Sequence, residues 1–152
     1  MKIIILGAGQ VGASVAHNLA SETNDITVID TDPQRLGLLQ DRMDLRGVVG
    51  NGIQPSVLRE AGAEDADMLI ACAPLDETNL VACLMANLIS PTTKKLARIR
   101  NADFDPYHDR LKKENPHIDT VINPEIEVVN TIRKLMDVPG AVDVGDFADG
   151  QV

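Results

Sequence analysis

The stretch Ile3-Ile4-Ile5-Leu6-Gly7-Ala8-Gly9-Gln10-Val11-Gly12 indicates how the chain begins to fold. Its apolar run predicts a buried strand, and the three glycines match the G-x-G-x-x-G pattern of a turn that opens a helix. Asp30 lies 18 residues beyond Gly12, at the end of a second apolar run. Together these features predict a Rossmann-type βαβ unit that binds a dinucleotide.

Each part of this pattern has a physical reason. Gly7 permits the tight turn, Gly9 lets the backbone approach a pyrophosphate, and Gly12 lets the helix pack against the strand. The helix start offers free N–H groups to an anion. Asp30 accepts hydrogen bonds from ribose hydroxyls and repels a 2′-phosphate, which favours NAD over NADP. Arg35 could instead balance a phosphate, although a solvated position on a helix is the preferred interpretation.

Short apolar runs alternate with amphipathic runs along the rest of the sequence. The predicted strands cover 3–6, 26–29, 45–49, 68–72, 95–99 and 120–122, and the predicted helices cover 10–21, 33–42, 55–61, 77–89, 106–114 and 124–136. Parallel neighbours need crossover connections, so this order predicts a doubly wound α/β fold with a six-stranded parallel sheet. The predicted divisions are a Rossmann domain over 1–123, a crossover helix over 124–138 and the start of a further subdomain over 139–152, for which a frayed tail is the alternative.

The composition excludes several classes of protein. The chain has 152 residues, 44% hydrophobic and 24% charged, with a net charge of −9. That charge argues against nucleic-acid binding and against a polybasic membrane anchor. No apolar run has the length of a membrane span. Cys72 and Cys83 are expected to be reduced core thiols, and the three scattered histidines, His17, His108 and His117, predict no metal site.

Polar or flexible residues follow most of the predicted strands, where ligands bind in open α/β sheets. Asn51, beside Gly52, could bind the adenine edge or be only a turn residue that tolerates positive φ. The backbone at Ala73 and Pro74 could cover the ribose or pyrophosphate. Asn79, one turn into the next helix, is a candidate to face the cleft. Asp76 and Asp32 could each be helix N-caps, and for Asp32 this is favoured over a role as a ligand.

Arg98 ends a predicted buried strand, where charge is unusual. It is expected to reach phosphate in the cleft or in a neighbouring subunit, whereas Arg100 is expected to form a surface ion pair. The helix over 77–89 is apolar nearly all round, which suits a core helix that also contributes a subunit interface. The last predicted helix carries one apolar stripe that could cross to a partner: Ile126, Val129, Ile132 and Leu135 or Met136.

Several stretches resemble a known family, the regulatory RCK or KTN domains of potassium channels and transporters, and most closely the amino-terminal domain of TrkA-type regulatory subunits. Besides the glycine motif, the matching stretches are Val28-Ile29-Asp30-Thr31-Asp32-Pro33, Leu58-Arg59-Glu60-Ala61-Gly62-Ala63-Glu64-Asp65-Ala66-Asp67, Asp76-Glu77-Thr78-Asn79, Ala97-Arg98-Ile99-Arg100, Val121-Ile122-Asn123-Pro124-Glu125 and Pro139-Gly140-Ala141.

The resemblance implies a cytoplasmic regulatory subunit that docks on a membrane potassium transporter, forms a dimer or higher ring, and gates transport according to bound NAD(H) or ATP/ADP. It implies that Gly7, Gly9, Gln10, Val11 and Gly12 hold phosphates. Asp30 would hold the ribose, flanked by Thr31 and Asp32. Asn51 stands where many relatives have an aspartate near adenine, which is a departure from the family pattern. The helix from Pro124 to Met136 would be the crossover element.

The leading functional interpretation is a binding module without catalysis, since no nucleophile–base pair stands at the strand ends. The main alternative is the cofactor-binding domain of an NAD-dependent dehydrogenase, which the fold alone leaves open. A third interpretation, a redox sensor that couples NADH to transcription, is disfavoured by the acidic charge.

Overall fold

The computed structural model describes residues 1–21, 23–122 and 132–136. Its strands are β1 (Lys2–Leu6), β2 (Asp25–Asp30), β3 (Arg46–Val49), β4 (Met68–Ala71), β5 (Lys94–Arg98) and β6 (Thr120–Ile122). Its α-helices are α1 (Gln10–Leu19), α2 (Pro33–Arg42), α3 (Pro55–Glu60), α4 (Asp76–Ile89) and α5 (His108–Lys113). Residues 132–136 are also helical.

The six strands form one parallel sheet in the order β3-β2-β1-β4-β5-β6. The predicted doubly wound fold is therefore confirmed. The order reverses direction between β1 and β4, and in such sheets ligands bind at the carboxyl ends of the strands beside this switch point.

The two faces of the sheet bury separate aliphatic cores. Ile3 and Ile5 of β1 contact the core that α1 and α2 cover, while Ile4 and Leu6 contact the core beneath α3 and α4. Successive strand side chains point to opposite faces, so a continuous apolar strand serves both layers. None of the helices in the described part of the chain is both long and apolar enough to cross a bilayer.

Local capping signals explain several helix ends. The Asp32 side chain accepts a hydrogen bond from the Gln34 N–H at 2.9 Å, with Pro33 in the first turn of α2, which confirms the predicted cap. Gly62, with φ of +95°, follows the end of α3 as predicted. The helix predicted at 106–114 is present as the slightly shorter α5, and it is preceded by a 3-10 helix over Ala102–Tyr107 that was not predicted.

The carboxyl-terminal predictions are only partly covered by the described residues. Ile132 is fully buried in the core on the α1 face, and Leu135 and Met136 pack against the same core. The Arg133 guanidinium donates to the Asn18 side chain at 3.3 Å. This short helical segment thus packs on its own chain. The remainder of the predicted crossover helix, and the segment 139–152, lie outside the described residues.

Candidate functional site

A cleft of about 450 Å³ opens at the carboxyl ends of β1 to β4. Its size lies within the range of about 300–1,000 Å³ that is usual for small-molecule sites. Thirteen residues line it: Leu6, Gly7, Ile29, Asp30, Thr31, Arg35, Gly50, Asn51, Gly52, Ala73, Pro74, Leu75 and Thr78. Seven of the fourteen predicted site residues are among them, namely Gly7, Asp30, Thr31, Asn51, Gly52, Ala73 and Pro74.

Two glycines of the loop are required by the fold itself. Gly7 has φ of +106°, a conformation that a side chain would strain, and its N–H donates to the Ile29 carbonyl at 2.8 Å. A Cβ on Gly12 would collide with the Gly7 carbonyl oxygen. The structure therefore explains these two positions by backbone geometry and by the close packing of α1 on its own loop.

Gly9 differs, because the surrounding protein does not require a glycine there. Its φ of −76° suits any residue, and a Cβ would meet only the Arg35 Nη1, at 3.9 Å. Gly9 is the N-cap of α1 and supplies no side-chain cap, so the first N–H groups of the helix are left for another acceptor. Gly9 and Gln10 line a groove adjoining the cleft. These features fit the phosphates of a nucleotide.

Asp30 is buried at the end of β2 and lies at the floor of the cleft. One carboxylate oxygen accepts the Ala8 N–H at 2.7 Å, and the other accepts the Asp32 N–H at 2.8 Å. The carboxylate therefore fixes the glycine loop to the end of β2. Each oxygen retains a second lone pair that could accept a ribose hydroxyl.

Asp32 does not line the cleft, because its side chain caps α2 and lies 3.8 Å from the Arg35 guanidinium. This is the helix-cap role that the sequence favoured for Asp32 over a role as a ligand. Arg35 is about half exposed and lines both the cleft and the adjoining groove.

Asn51 is exposed at the rim of the cleft, and its Oδ1 accepts the Ile53 N–H at 3.2 Å. This contact makes it a turn residue, as one of the two sequence interpretations proposed. Positive φ is not the reason, since His117 is the only described non-glycine residue with positive φ. Asn51 nevertheless lines the cleft.

The prediction that Asn79 faces the cleft was wrong. Asn79 is fully buried, and its Oδ1 accepts the Ala73 N–H at 2.8 Å. Its Nδ2 donates to the carbonyls of Ala73 and Arg98, at 3.0 and 2.8 Å. The side chain thus joins the loop after β4 to the end of β5 and positions the Ala73–Pro74 wall from behind.

Asp76 and Arg100 also differ from their predicted roles. Asp76 is the first residue of α4, not its cap, and its carboxylate accepts the N–H groups of Arg100 and Asn101 at 2.9 and 2.8 Å. The Arg100 guanidinium donates to the Pro74 carbonyl at 2.9 Å and forms no ion pair with the described residues. Both residues brace the loop that walls the cleft.

Arg98 is half-buried at the end of β5 and does not line the cleft. Its Nε is buried and makes no hydrogen bond to any described residue. Burial raises the pKa of the nearby Cys72 thiol to about 12, an effect that the Arg98 charge partly offsets. Val11 and Gly12 are buried in the first turn of α1 and do not line the cleft. No group of three potential metal-binding side chains occurs among the described residues.

Sequence reasoning missed Leu75 and Thr78, which complete the wall after β4. Leu75 is 60% exposed, and it directly follows the predicted Ala73–Pro74 segment. The signal in the sequence for Leu75 was its place between Pro74 and Asp76, the first acidic residue of α4.

A family model described as the TrkA-N domain matches residues 3–124. The chain belongs to this family. Over its whole length the chain is 49% identical to the Trk system potassium uptake protein TrkA of Halomonas elongata and 47% identical to that of Haemophilus influenzae. The chain spans 33% of the length of each of these relatives.

Solved structures share the fold of this TrkA-N domain. The TrkA-N domain of the inner membrane protein ybaL from Escherichia coli has a TM-score of 0.71 at 24% identity, with 89% of this chain and 96% of that one covered. The Shewanella denitrificans Kef CTD in its AMP-bound form has a TM-score of 0.69 at 21% identity, with 93% and 83% covered. The GsuK channel bound to NAD has a TM-score of 0.66 at 18% identity, with 80% and 21% covered.

Proposed function

We propose that the chain is the nucleotide-sensing domain of a cytoplasmic regulatory subunit that controls a membrane potassium uptake transporter. The ligand is NAD(H), with ATP or ADP as the alternative nucleotide signal. The relatives of matching sequence are named as potassium uptake proteins, and the fold is shared with domains solved with AMP and NAD. The regulatory role needs only different affinities for the nucleotide in two arrangements of the assembled subunit.

Gly9 is the observation that carries the proposal. The protein has room for a side chain at this position, yet the sequence places a glycine beside uncapped N–H groups and beside the buried Asp30 carboxylate. A ligand phosphate that approaches the backbone explains the glycine. Phosphates would sit on the start of α1, and the ribose hydroxyls would donate to Asp30, with the adenine beside Asn51.

Calorimetric titration with NAD⁺, NADH, NADPH, ATP and ADP tests the proposal, with Gly9→Ala as the decisive variant. We expect the wild type to bind NAD(H) or an adenine nucleotide, and Gly9→Ala to bind at least about tenfold more weakly because the methyl group occupies the phosphate position. The free energy of unfolding should fall by no more than about 1–2 kcal/mol, because alanine fits this backbone but is a poorer N-cap than glycine.

Gly37→Ala is the matched control, because a Cβ at Gly37 meets nothing within 4 Å, so this site also has room for a methyl group, but it lies in the middle of α2. It should leave nucleotide affinity unchanged. Equal binding by wild type and Gly9→Ala, or binding of none of the five nucleotides, would refute the proposed site. Steady hydride transfer from NADH to a simple substrate would favour the dehydrogenase alternative.

Arg98 is proposed to bind phosphate through its guanidinium, either in the same chain or from a neighbouring subunit. Its buried Nε has no partner among the described residues, and a bound anion would supply one. Arg98→Gln should therefore weaken binding, whereas Arg100→Gln, which removes only the contact to the Pro74 carbonyl, should weaken it less. The reverse order would exclude Arg98 from the site.

We also propose that the chain self-associates through α4. Val81, Leu84 and Leu88 are 38%, 37% and 64% exposed and are spaced three and four residues apart, so they form one apolar stripe. An apolar depression of about 370 Å³ continues this surface across Leu80, Phe104 and Tyr107. A second copy of this chain would cover both features.

A further inference from the structure

A second depression, of about 400 Å³, lies at the amino end of β5, on the sheet edge opposite the nucleotide cleft. Four basic residues and one aspartate line it, together with Asn87 and the turn before β5. The basic residues are Lys94, Lys95, Lys112 and His117, and the carboxylate is Asp119. This excess of positive groups occurs in a chain of net charge −9.

Lys95 is the unusual member, because it is only 1% exposed. Its ammonium donates to the Thr93 carbonyl at 2.6 Å, one of the three hydrogen bonds that an ammonium can donate. Among the described residues Lys95 forms no ion pair. The Asp119 carboxylate instead accepts the backbone N–H of Lys95 at 2.7 Å.

A buried ammonium without a counter-ion is costly. Burial lowers the pKa of Lys95, while the charge of the nearby Asp119 acts in the opposite direction. The titratable residues that line the depression with Lys95 are Lys94 on β5, Lys112 on α5, and His117 and Asp119 in the segment before β6. The Cys83 thiol of α4 also acts on the Lys95 ammonium. The sum of these charges attracts an anion and does not itself neutralise Lys95.

We propose that this depression binds a phosphate-type dianion, either orthophosphate or a phosphomonoester, with Lys95 as the buried anchor and with Lys94 and Lys112 at the rim. A dianion matches several ammonium groups set against one carboxylate better than a monovalent carboxylate ligand does. Its oxygens would accept the N–H donors that Lys95 leaves free. The site is independent of the proposed nucleotide cleft, since no residue lines both.

Titration of the ¹⁵N-labelled 152-residue chain with inorganic phosphate tests the proposal residue by residue. We expect saturable amide shifts at 93–95 and at His117, separate from any shifts at 7–12 that report phosphate in the glycine loop. Lys95→Met keeps the length of the side chain and removes its charge, so the affinity at 93–95 should fall at least about tenfold. Lys112→Met should weaken binding, and Lys113→Met, a neighbour that does not line the depression, should not.

Several outcomes would overturn the proposal. Shifts confined to 7–12 would show that phosphate binds only the nucleotide cleft. Equal shifts with chloride at the same ionic strength would show non-specific screening. Unchanged phosphate affinity in Lys95→Met would show that Lys95 does not bind the anion. If Lys95→Met does not fold, the Lys94→Met/Lys112→Met double variant takes its place, and unchanged affinity in that variant would refute the site. Co-sedimentation with vesicles that contain phosphatidic acid distinguishes a lipid headgroup from a free phosphate. If the ligand is the headgroup, the wild-type chain should sediment with the vesicles and Lys95→Met should not.

Discussion

Asp30 performs two tasks with one carboxylate. It holds the glycine loop through the Ala8 N–H and the start of α2 through the Asp32 N–H, and it remains open toward the cleft. The residue that would recognise the ribose is therefore also the one that shapes the phosphate loop. A single substitution at this position should affect both folding and binding.

Asp30→Asn should lower the free energy of unfolding by about 1–3 kcal/mol, because an amide nitrogen would replace one acceptor and leave a backbone N–H unsatisfied. It should also weaken nucleotide binding at least about tenfold. Urea denaturation and calorimetry measure the two effects. Asp32→Asn is the control, since asparagine also caps helices well, and it should change neither quantity appreciably. A loss of affinity in Asp32→Asn equal to that in Asp30→Asn would contradict this assignment.

Asn79→Ala should lower the free energy of unfolding by about 2–4 kcal/mol, because it leaves the Ala73 N–H and two carbonyls without partners in a fully buried site. Thr78→Ala, one residue earlier and on the cleft wall, should cost less than about 1 kcal/mol. Chemical denaturation of the two variants checks this. If Asn79→Ala were as stable as wild type but had lost nucleotide binding, Asn79 would be a ligand-binding residue after all.

At the scale of elements, α4 connects the site to the surface proposed for self-association. Its first turn braces the end of β5 through Asp76, and Asn79 supports the cleft wall. Its exposed stripe lies further along the same helix. A helix that contacts both regions can couple a change in the cleft to a change at an interface.

Leu84→Glu should weaken self-association at least about tenfold, because it places a charge in the centre of the apolar stripe. Sedimentation at several concentrations measures the change. Leu38→Glu on α2 is the matched control, since Leu38 is 60% exposed and lies outside α4, and its association should match that of wild type. Dissociation by Leu38→Glu but not by Leu84→Glu would place the interface on the other face of the sheet.

At the scale of the whole molecule, the two aliphatic cores each bury one free thiol. Cys72 lies in the core on the α1 face and Cys83 in the core on the α4 face. Burial raises the pKa of each thiol from 9.0 to about 12. Folding therefore favours the protonated, neutral thiols over the charged thiolates.

The sign of the resulting pH dependence follows from linkage. The folded chain retains these two protons above pH 9, where the unfolded chain has lost them, so their stabilisation is full below pH 9 and is lost as the pH rises from 9 to about 12. We expect each thiol to contribute a loss of about 1.4 kcal/mol per pH unit in that window. Urea titrations from pH 8 to pH 10.5 measure it, with the Cys72→Ala/Cys83→Ala double variant as the reference. Parallel slopes for the two proteins would show that the thiols do not couple to folding.

The sequence by itself determined the features that depend on neighbouring residues. The glycine loop, the Asp30 position, the Asp32–Pro33 helix start and the stop at Gly62 each follow from local backbone preferences, and the alternation of apolar runs determined the parallel sheet. Within the described residues, the sequence did not predict the 3-10 helix over Ala102–Tyr107, where polar residues carry no periodic pattern. The position of the cleft followed as well, because all parallel strands end at the same edge.

The tertiary structure alone decided the roles of side chains whose partners are distant in the chain. In the sequence Asn79 and Asp76 are only polar residues near the start of a helix. Their hydrogen-bond partners are backbone groups of Arg98 and Arg100, at the end of β5 and just after it, about twenty residues away. The Arg100 side chain donates to the Pro74 carbonyl. Lys95 is buried at the amino ends of the strands, where the sequence did not predict a site. A hydrogen bond to a distant backbone group leaves no periodicity or spacing in the sequence, since only the pairing of strands and the packing of helices bring the two groups together.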